Sequence, residues 1–413
     1  MSDAAEPAGK PAQPTVSNPV DRPSAALAIG AISGSGALIV SAAPVVVGAL
    51  DSAFGFEQSQ LGDIIFAYNA GFTLLVVAAL LFIRHLHWRR TAFIASALVA
   101  GGFLVLPMLS SFASVAALFG AIGIAAGMLY ALGMTIAGDS DNADRAFGLK
   151  LGMESVPSVL MLFFIPAVAL PLGGLQAAAV TFAVLFVVLG LIATWLPARA
   201  LSVDEDLDVE AALHHDAPAA MPGGKPTSAA QSLLALGASI IFVAGIAASW
   251  SFLELIAGQK GFSAGTTGLV LSIGFGVAAL GGFIAAAIGT RFGRIVPMAG
   301  VFLFQAAGLA LIGWSHDITV FTIGTFLLLS TINFGLAFLF GLSAELDASG
   351  RFVVLSATTL SVGGGIGPAI GGRLIQFGGL ENVLMFSVGC SALTLAIFTG
   401  VARAHRARVL IAS

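Results

Sequence analysis

The sequence predicts an all-α membrane protein with twelve transmembrane helices, arranged as two six-helix halves related by pseudo-two-fold symmetry. Hydrophobic residues make up 58% of the 413-residue chain and charged residues only 9%, against about 25% charged residues in soluble domains. Apolar segments of membrane-spanning length recur along the whole chain, and the two halves carry matching residues at one constant spacing. The composition excludes an ordinary soluble enzyme.

Twelve apolar segments are predicted to cross the membrane, since about 20 mostly apolar residues span its hydrocarbon core. Spans 1 to 6 are predicted at 24–49, 61–83, 91–110, 114–137, 146–171 and 174–197. Spans 7 to 12 are predicted at 230–256, 266–289, 296–314, 318–343, 352–376 and 382–402.

Polar segments divide the chain into domains. The residues before span 1 are rich in proline and charge and lack an apolar run, which is typical of a disordered tail. Between spans 6 and 7, a cluster of acidic residues precedes a Pro/Gly stretch and reads as a linker. The predicted order is a tail at 1–23, a first bundle at 24–197, a linker at 198–229, a second bundle at 230–402 and a tail at 403–413.

The distribution of Lys and Arg predicts the orientation. An even number of spans puts both termini on one side, and all 17 basic residues except Lys260 and Arg373 then fall on that side. Basic residues concentrate in cytoplasmic loops. Both termini are therefore predicted to be cytoplasmic, in a multi-pass protein that a bacterial cell would carry in its inner membrane.

The two halves repeat each other at a constant offset in residue number. Gly55, Phe56 and Gly62 fall on Gly261, Phe262 and Gly268 at this offset, and the acid-x-acid-x3-Arg pattern of loop 4-5 falls on that of loop 10-11. Two distant patterns at one offset indicate two bundles of like orientation, an arrangement found in parallel-repeat transporters.

The loop between spans 8 and 9 carries a family motif. Arg291, Phe292, Gly293 and Arg294 match the Arg-x-Gly-Arg end of the Gly-x-Leu-Ala-Asp-Arg-x-Gly-Arg pattern, with Thr290 in place of the Asp. With this motif and the internal repeat, the chain resembles the major facilitator superfamily of secondary transporters, and the resemblance covers about residues 24 to 402. Loop 2-3 keeps little of the motif beyond its basic character.

A second family motif lies in span 11. It comprises Gly363, Gly367, Pro368, Gly371 and Gly372, spaced as in Gly-x3-Gly-Pro-x2-Gly-Gly. In span 5 the family uses this motif in proton-coupled drug exporters, and here span 5 lacks it. In span 11 the pattern favours close helix packing with a flexible point.

Two carboxylates within the spans are candidates for proton coupling, because a charge inside hydrocarbon is costly unless it is paired or hydrated. Glu154 in span 5 is either a proton-coupling group or the i,i+4 ion-pair partner of Lys150. Glu254 in span 7 is either an outer residue that is solvated or paired with Lys260, or a gate or proton-entry group. Asp63, at the start of span 2, suits the positive end of that helix.

The resemblance implies a substrate cavity between the halves, lined by spans 1, 2, 4, 5, 7, 8, 10 and 11. The polar or aromatic candidates for substrate binding are Tyr68, Asn69, Tyr130, Trp250 and Asn333, and each is also open to an interpretation as a helix–helix hydrogen bond. Asn333 most resembles a pure packing residue. Arg373, near the outer end of span 11, could either reach the interface or hold an anionic substrate.

Charged residues at the cytoplasmic ends of the spans predict a gate. We expect basic residues of loops 2-3 and 8-9 to pair with the acids of loops 4-5 and 10-11 when the inside is closed; the alternative is solvated acids and simple positive-inside anchoring. The predicted gate comprises Arg89, Arg90, Asp139, Asp141, Arg145, Arg291, Arg294, Glu345, Asp347 and Arg351.

Other chemistries lack support in the sequence. The six histidines form no metal-binding cluster, the single Cys390 excludes an intramolecular disulfide, and there is no Walker loop for ATP. We therefore expect no cofactor, no enzyme activity and no nucleic-acid partner, and a monomer in the lipid bilayer.

These observations predict a secondary active transporter that moves a small organic solute by alternating access as a symporter or antiporter, with protons as the coupling ion. A proton-driven exporter rather than an importer is one alternative. A transporter-fold protein that serves as a sensor or as an assembly factor for a membrane complex is another.

Overall fold

The computed structural model describes residues 18–140, 143–199, 229–289, 291–346 and 351–412. Throughout these ranges the chain is helical apart from short connections, and they contain no β-strand. The side that holds both chain ends is called the inner side here, and the opposite side the outer side, following the orientation that the basic residues predict.

Spans 1 to 6 form the first half. Span 1 is broken at Ala42 into two helices, and span 5 runs into a π-helical turn at Ile165–Ala169 before span 6 begins. The helices of this half are Pro23–Ser41, Ala43–Phe54, Gln58–Ala79, Trp88–Val105, Phe112–Gly138, Ala143–Phe164 and Leu170–Ile192.

Spans 7 to 12 form the second half. Span 7 is again broken near its outer end, at Phe252. The helices of this half are Ala229–Ser251, Leu253–Gln259, Ala264–Ile288, Ile295–Trp314, Ile318–Glu345, Arg351–Gly378 and Leu380–Ala412.

The number of spans agrees with the prediction. Ten helical segments of the described ranges are long and apolar enough to cross a membrane. One of them, Gly152–Trp195, has 44 residues and covers spans 5 and 6, which non-helical backbone at Gly173 and Gly174 separates. The helix Arg351–Gly378, which is span 11, is not among the ten, but its 28 residues are of spanning length. Dividing the long segment and adding span 11 gives twelve.

Both predicted tails contain ordered residues. Residues 18–22 fall in the predicted tail 1–23, yet Pro19–Asp21 form a 3-10 turn in which Val20 is buried, and the Asn18 amide donates to the Asp139 carbonyl at 2.9 Å. Span 12 continues as a helix to Ala412, through the predicted tail at 403–413. Residues 1–17 and the linker residues 200–228 lie outside the described ranges.

The internal repeat is visible in the turns after spans 1 and 7. Gly55 and Gly261 both adopt a positive φ, of 61° and 82°, which glycine tolerates without strain. Two residues on, Glu57 and Ser263 each cap the following helix. The same turn thus redirects the chain at the outer side of both halves.

Close helix packing depends on small residues. Gly123 of span 4 lies against the carbonyl of Tyr68 in span 2, and Gly127 lies against Phe72, so that a side chain at either position would collide with the neighbouring helix. In lipid, such close approach replaces much of the hydrophobic driving force that packs helices in water.

Candidate functional site

A buried ion pair lies in the first half. The Lys150 ammonium is 2.7 Å from Oε2 of Glu154, one helical turn further along span 5. The Lys150 side chain is fully buried, whereas 16% of the Glu154 side chain is exposed. Two further groups complete the cluster: the Ser33 hydroxyl of span 1 donates to the same Oε2 at 2.9 Å, and the Lys150 ammonium lies 4.5 Å from the centre of the Tyr130 ring.

Glycines of span 1 allow this cluster to assemble. Gly34 lies against the backbone of Glu154, and Gly30 lies against the side chain of Met153. A larger residue at either position would push span 5 away and separate the Ser33 hydroxyl from the carboxylate.

The cluster lies deep within the bundle. Glu154 lies two residues beyond the start of the apolar segment Gly152–Trp195, and its partner Ser33 is buried in the middle of the helix Pro23–Ser41. Both sequence interpretations of Glu154 are compatible with this geometry, because the predicted pair with Lys150 is present and the carboxylate is partly exposed.

The cluster stabilises the ionised form of the Glu154 carboxylate, and protonation of Glu154 would remove this stabilisation. While ionised, Glu154 accepts hydrogen bonds from Lys150 and Ser33. A proton on Glu154 would cancel the charge that neutralises Lys150, leaving a buried ammonium whose remaining electrostatic partner among the described residues is the Tyr130 ring. Protonation would therefore favour either the entry of an anionic group or a change in helix packing.

The second carboxylate, Glu254, lies at the outer contact between the halves. Its carboxyl group lies against Gly48 of span 1, and its buried Oε2 has no hydrogen-bond partner in the described part of the chain. The predicted pairing with Lys260 is wrong, because the Lys260 ammonium donates to the Gly313 carbonyl at 2.8 Å. Since Gly48 and Glu254 correspond to each other in the internal repeat, equivalent positions of the two halves meet here.

Charged residues join spans 2 and 11 at the outer side. The Arg373 guanidinium contacts both carboxylate oxygens of Asp63, at 2.7 and 3.0 Å, and also donates to the Ala369 carbonyl. Nearby, the Gln376 amide donates to Glu57 at 2.7 Å. Asp63 therefore does more than stabilise its own helix end, and Arg373 is occupied by a protein carboxylate in this conformation.

Backbone contacts close the outer side symmetrically. Gly62 of span 2 lies against the carbonyl of Pro368 in span 11, and Gly268 of span 8 lies against the carbonyl of Leu162 in span 5. In the internal repeat, Gly62 corresponds to Gly268 and Leu162 corresponds to Pro368. The internal repeat of the sequence is therefore also a repeat of contacts across the interface between halves.

Four of the predicted substrate-binding residues use their polar groups in helix packing. Tyr68 is fully buried and donates to the Gly36 carbonyl, and Asn333 donates to the Ala278 carbonyl. Two others bridge the halves: Asn69 donates to Ile65 and Gly364, and Trp250 donates to Ser41. Of the six predicted residues, the structure brings only Tyr130 to the ionic cluster.

Two acids of the predicted gate, Asp139 and Glu345, pair within their own halves. Arg84 is 3.2 Å from Asp139, and Arg294 forms an ion pair with Glu345, the equivalent acid of the second half. The Arg89 side chain donates to the Leu196 carbonyl instead. Arg90 and Arg291 are exposed, and the described residues show no ion pair between the halves on the inner side.

Four members of the predicted gate cannot be assigned contacts. Asp141 and Asp347 lie outside the described residues, as do the side chains of Arg145 and Arg351. The pairing that we predicted for a closed inner side therefore stays a prediction.

Sequence reasoning did not find all of the cluster. Ser33 was not predicted, and the only signal for it is its position in a run of small residues that brings span 1 close to span 5. Arg84 was likewise overlooked as the partner of Asp139. Among the described residues there is no group of three or more side chains that could hold a metal ion.

A twelve-span helical bundle with two equivalent halves, closed at the outer side and holding a buried ion pair, defines a class of membrane transport proteins. The family model described as Major Facilitator Superfamily matches residues 25–350. The chain therefore belongs to the major facilitator superfamily. A search of curated proteins gives no match.

Solved structures of transporters share the fold. A bacterial homologue of the human lysosomal transporter Spinster, in an inward-facing and occupied conformation, has a TM-score of 0.68 and 14% identity, over 92% of this chain and 96% of that chain. The nucleoside transporter NupG has a TM-score of 0.67 and 12% identity, over 92% and 98% of the two chains. At these identities the likeness concerns the fold alone.

Proposed function

We propose that this secondary transporter moves a small organic solute of amphiphilic or weakly charged character across the bacterial inner membrane by alternating access, coupled to protons. The two bundles, 24–197 and 230–402, would rotate about a central site. Both termini and the linker would face the cytoplasm, and the protein would act as a monomer.

The observation that carries the proposal is the cluster of Lys150, Glu154, Ser33 and Tyr130. A buried ionisable pair within a membrane-spanning bundle is expensive to maintain, and such residues mark ion or substrate pathways. Here one member of the pair, Glu154, retains partial exposure while Lys150 has none. Glu154 is thus the member of the pair that can exchange a proton with water, and Lys150 is the charge that responds.

The distribution of contacts supports an inward-facing conformation. The hydrogen bonds that join the halves at Asp63–Arg373, Glu57–Gln376 and Trp250–Ser41 lie toward the outer side. On the inner side, the described ion pairs stay within one half. Release of the outer contacts and pairing between halves on the inner side would complete the cycle.

Two alternatives rest on specific features. Span 5 lacks the motif of proton-coupled drug exporters, and since this absence does not establish uptake, export remains an alternative direction. Loop 2-3 keeps little of the family motif, which favours a transporter-fold sensor or an assembly factor for a membrane complex. The buried cluster of Lys150, Glu154, Ser33 and Tyr130 favours transport over this second alternative.

A thermal-shift screen tests the proposal. The purified protein would be screened against classes of small organic compounds at two pH values, because a ligand that binds the folded state raises its unfolding temperature. For each compound found, we expect the stabilisation to depend on pH in the wild type and to lose this dependence in Glu154→Gln. Glu254→Gln is the matched variant for the other carboxylate, and Glu381→Gln, at an exposed outer position, is the control.

The outcomes separate the parts of the proposal. Loss of the pH dependence only in Glu254→Gln would transfer the coupling role to Glu254. Unchanged dependence in both variants would contradict proton coupling through either carboxylate. Failure of all compound classes to stabilise the protein would favour the non-transporting alternative.

A further inference from the structure

A groove lies on the inner side of the first half, and two of the predicted gate residues, Arg89 and Arg90, line it. It lies between the inner ends of spans 3 and 6 and has a volume of about 360 Å³. The lining residues are Arg89, Arg90, Phe93, Ile94, Gly190 and Thr194.

The inner mouth of the groove is positively charged. Arg89 and Arg90 occupy the first turn of span 3 and are exposed, and the positive end of the helix dipole lies at the same place. The bond from Arg89 Nε to the Leu196 carbonyl fixes that guanidinium beside span 6, and its two terminal nitrogens have no partner among the described residues. Residues 80–91 and 193–199 contain no acidic residue, and Arg199 adds a further positive charge.

The rest of the groove is apolar and faces outward from the bundle. Phe93 and Ile94, one turn above the arginines, are 52% and 59% exposed. At the floor of the groove, Gly190 lies directly against the buried Ser96 side chain, so spans 3 and 6 approach each other closely there. A positive mouth that leads into an apolar channel matches a molecule with an anionic head and a hydrocarbon chain.

The second half serves as an internal comparison. In the internal repeat, Arg89 and Arg90 correspond to Ile295 and Val296, while Phe93 and Ile94 correspond to Ala299 and Gly300. The second half also has a basic residue at the start of span 9, but this residue, Arg294, is paired with Glu345. The combination of adjacent arginines with Phe93 and Ile94 occurs at these positions of the first half and is not repeated at the equivalent positions of the second.

We propose that this groove binds an anionic phospholipid of the inner leaflet, with its phosphate on Arg89 and Arg90 and an acyl chain along Phe93 and Ile94. Basic pockets between transmembrane helices on the cytoplasmic side bind anionic lipid headgroups by the same chemistry. The occupant is a lipid rather than a soluble anion, because the apolar part of the groove would be left uncovered by phosphate alone.

Native mass spectrometry of the detergent-purified full chain tests the proposal. The protein would be titrated with phosphatidylglycerol or phosphatidylcholine, and the retained lipid counted. We expect the wild type to retain phosphatidylglycerol in preference to phosphatidylcholine. In Arg89→Gln/Arg90→Gln the affinity for phosphatidylglycerol should fall about tenfold or more, since each basic residue near the surface contributes about 1 kcal/mol to lipid binding.

Two further variants keep the result interpretable. Arg403→Gln/Arg406→Gln removes the same charge from exposed positions at the inner end of span 12, and it should retain the lipid as the wild type does. Arg90→Gln alone leaves the Arg89–Leu196 contact intact, so a weaker affinity in this variant cannot come from misfolding at that contact.

Three outcomes would overturn the proposal. One is equal loss of phosphatidylglycerol in the two double variants, which would indicate non-specific attraction by charge. Another is equal retention of phosphatidylcholine by the wild type, which would indicate ordinary annular lipid. The third is displacement of phosphatidylglycerol by millimolar inorganic phosphate, which would make the site one for a soluble anion.

Discussion

At the scale of single residues, the two carboxylates within the spans differ in whether they have a partner. Lys150 and Glu154 satisfy each other, and Ser33 adds a donor to the carboxylate. Glu254 has a buried oxygen without such a donor among the described residues. The first arrangement is a buried charge pair, and the second places a carboxylate where the two halves meet.

The Lys150–Glu154 pair should behave as one unit in stability measurements. Removing one partner leaves the other charge buried, which costs about 3 to 5 kcal/mol. We therefore expect Lys150→Met and Glu154→Gln each to lower the thermal unfolding temperature clearly, whereas the double variant should recover most of the loss. Additive losses in the double variant would show that the two charges are not coupled.

Asp317, which lies outside the membrane-spanning segments, should make the stability of the folded protein depend on pH. Its carboxylate accepts hydrogen bonds from the backbone amides of Val320 and Thr319 at the start of span 10, and these bonds lower its pKa. Because its pKa is lower in the folded state, the ionised Asp317 carboxylate stabilises the folded protein. This contribution is fully present at pH values above the ordinary aspartate pKa of about 4, and it is lost as the pH falls through the lowered pKa of the folded state.

Thermal unfolding of Asp317→Ala tests this assignment. The variant should unfold at a lower temperature than the wild type at pH 7, and the difference should shrink as the pH falls below about 4. A difference that stays constant between pH 7 and pH 3 would show that the ionised carboxylate is not what stabilises this helix end.

At the scale of helices, glycines decide how closely the two halves approach. Gly268 of span 8 lies against the carbonyl of Leu162, whereas Gly276, two turns further along the same helix, has no described atom of a neighbouring helix near its Cβ position. The two positions therefore form a matched pair for testing the outer contact.

We expect Gly268→Val to disturb the outer interface and Gly276→Val to be tolerated. Overpacking a close contact costs about 1 to 3 kcal/mol, so the unfolding temperature should fall in the first variant only. Equal behaviour of the two variants would show that the contact between spans 5 and 8 is not tightly packed.

The Asp63–Arg373 pair should hold spans 2 and 11 together at the outer side. Reversing either charge alone should open this side, and the double variant Asp63→Arg/Arg373→Asp should close it again. The measurement is the rate at which a membrane-impermeant maleimide labels Ser59→Cys, which lies at the contact with Gly372, in a Cys390→Ala background. Labelling that is equally fast in the double variant and the single variants would count against a direct pair.

At the scale of the whole molecule, the sequence predicts the fold far better than the site. Twelve spans and two halves follow from apolar length and from the internal repeat, which are properties of local segments. The ion pair of Glu154 with Lys150 could also be predicted from the sequence, because residues four apart share a helix face.

Contacts between distant segments were not predictable in this way. Ser33 and Glu154 are 121 residues apart, and Asp63 and Arg373 are 310 apart. Their pairing depends on how spans 1 and 5, and spans 2 and 11, pack against each other. Tyr68 was expected to reach a cavity, yet the Gly36 carbonyl lies within its reach and span 4 covers it, so it is fully buried.

The most direct test of the central claim is proton flux in proteoliposomes. The purified protein would be reconstituted with a pH indicator inside the vesicles, and a compound that stabilises it in the thermal screen would be added outside. We expect the wild type to change the internal pH on addition of this compound, and Glu154→Gln to bind the compound without moving protons. Compound-driven proton flux in Glu154→Gln at the wild-type rate would contradict the account.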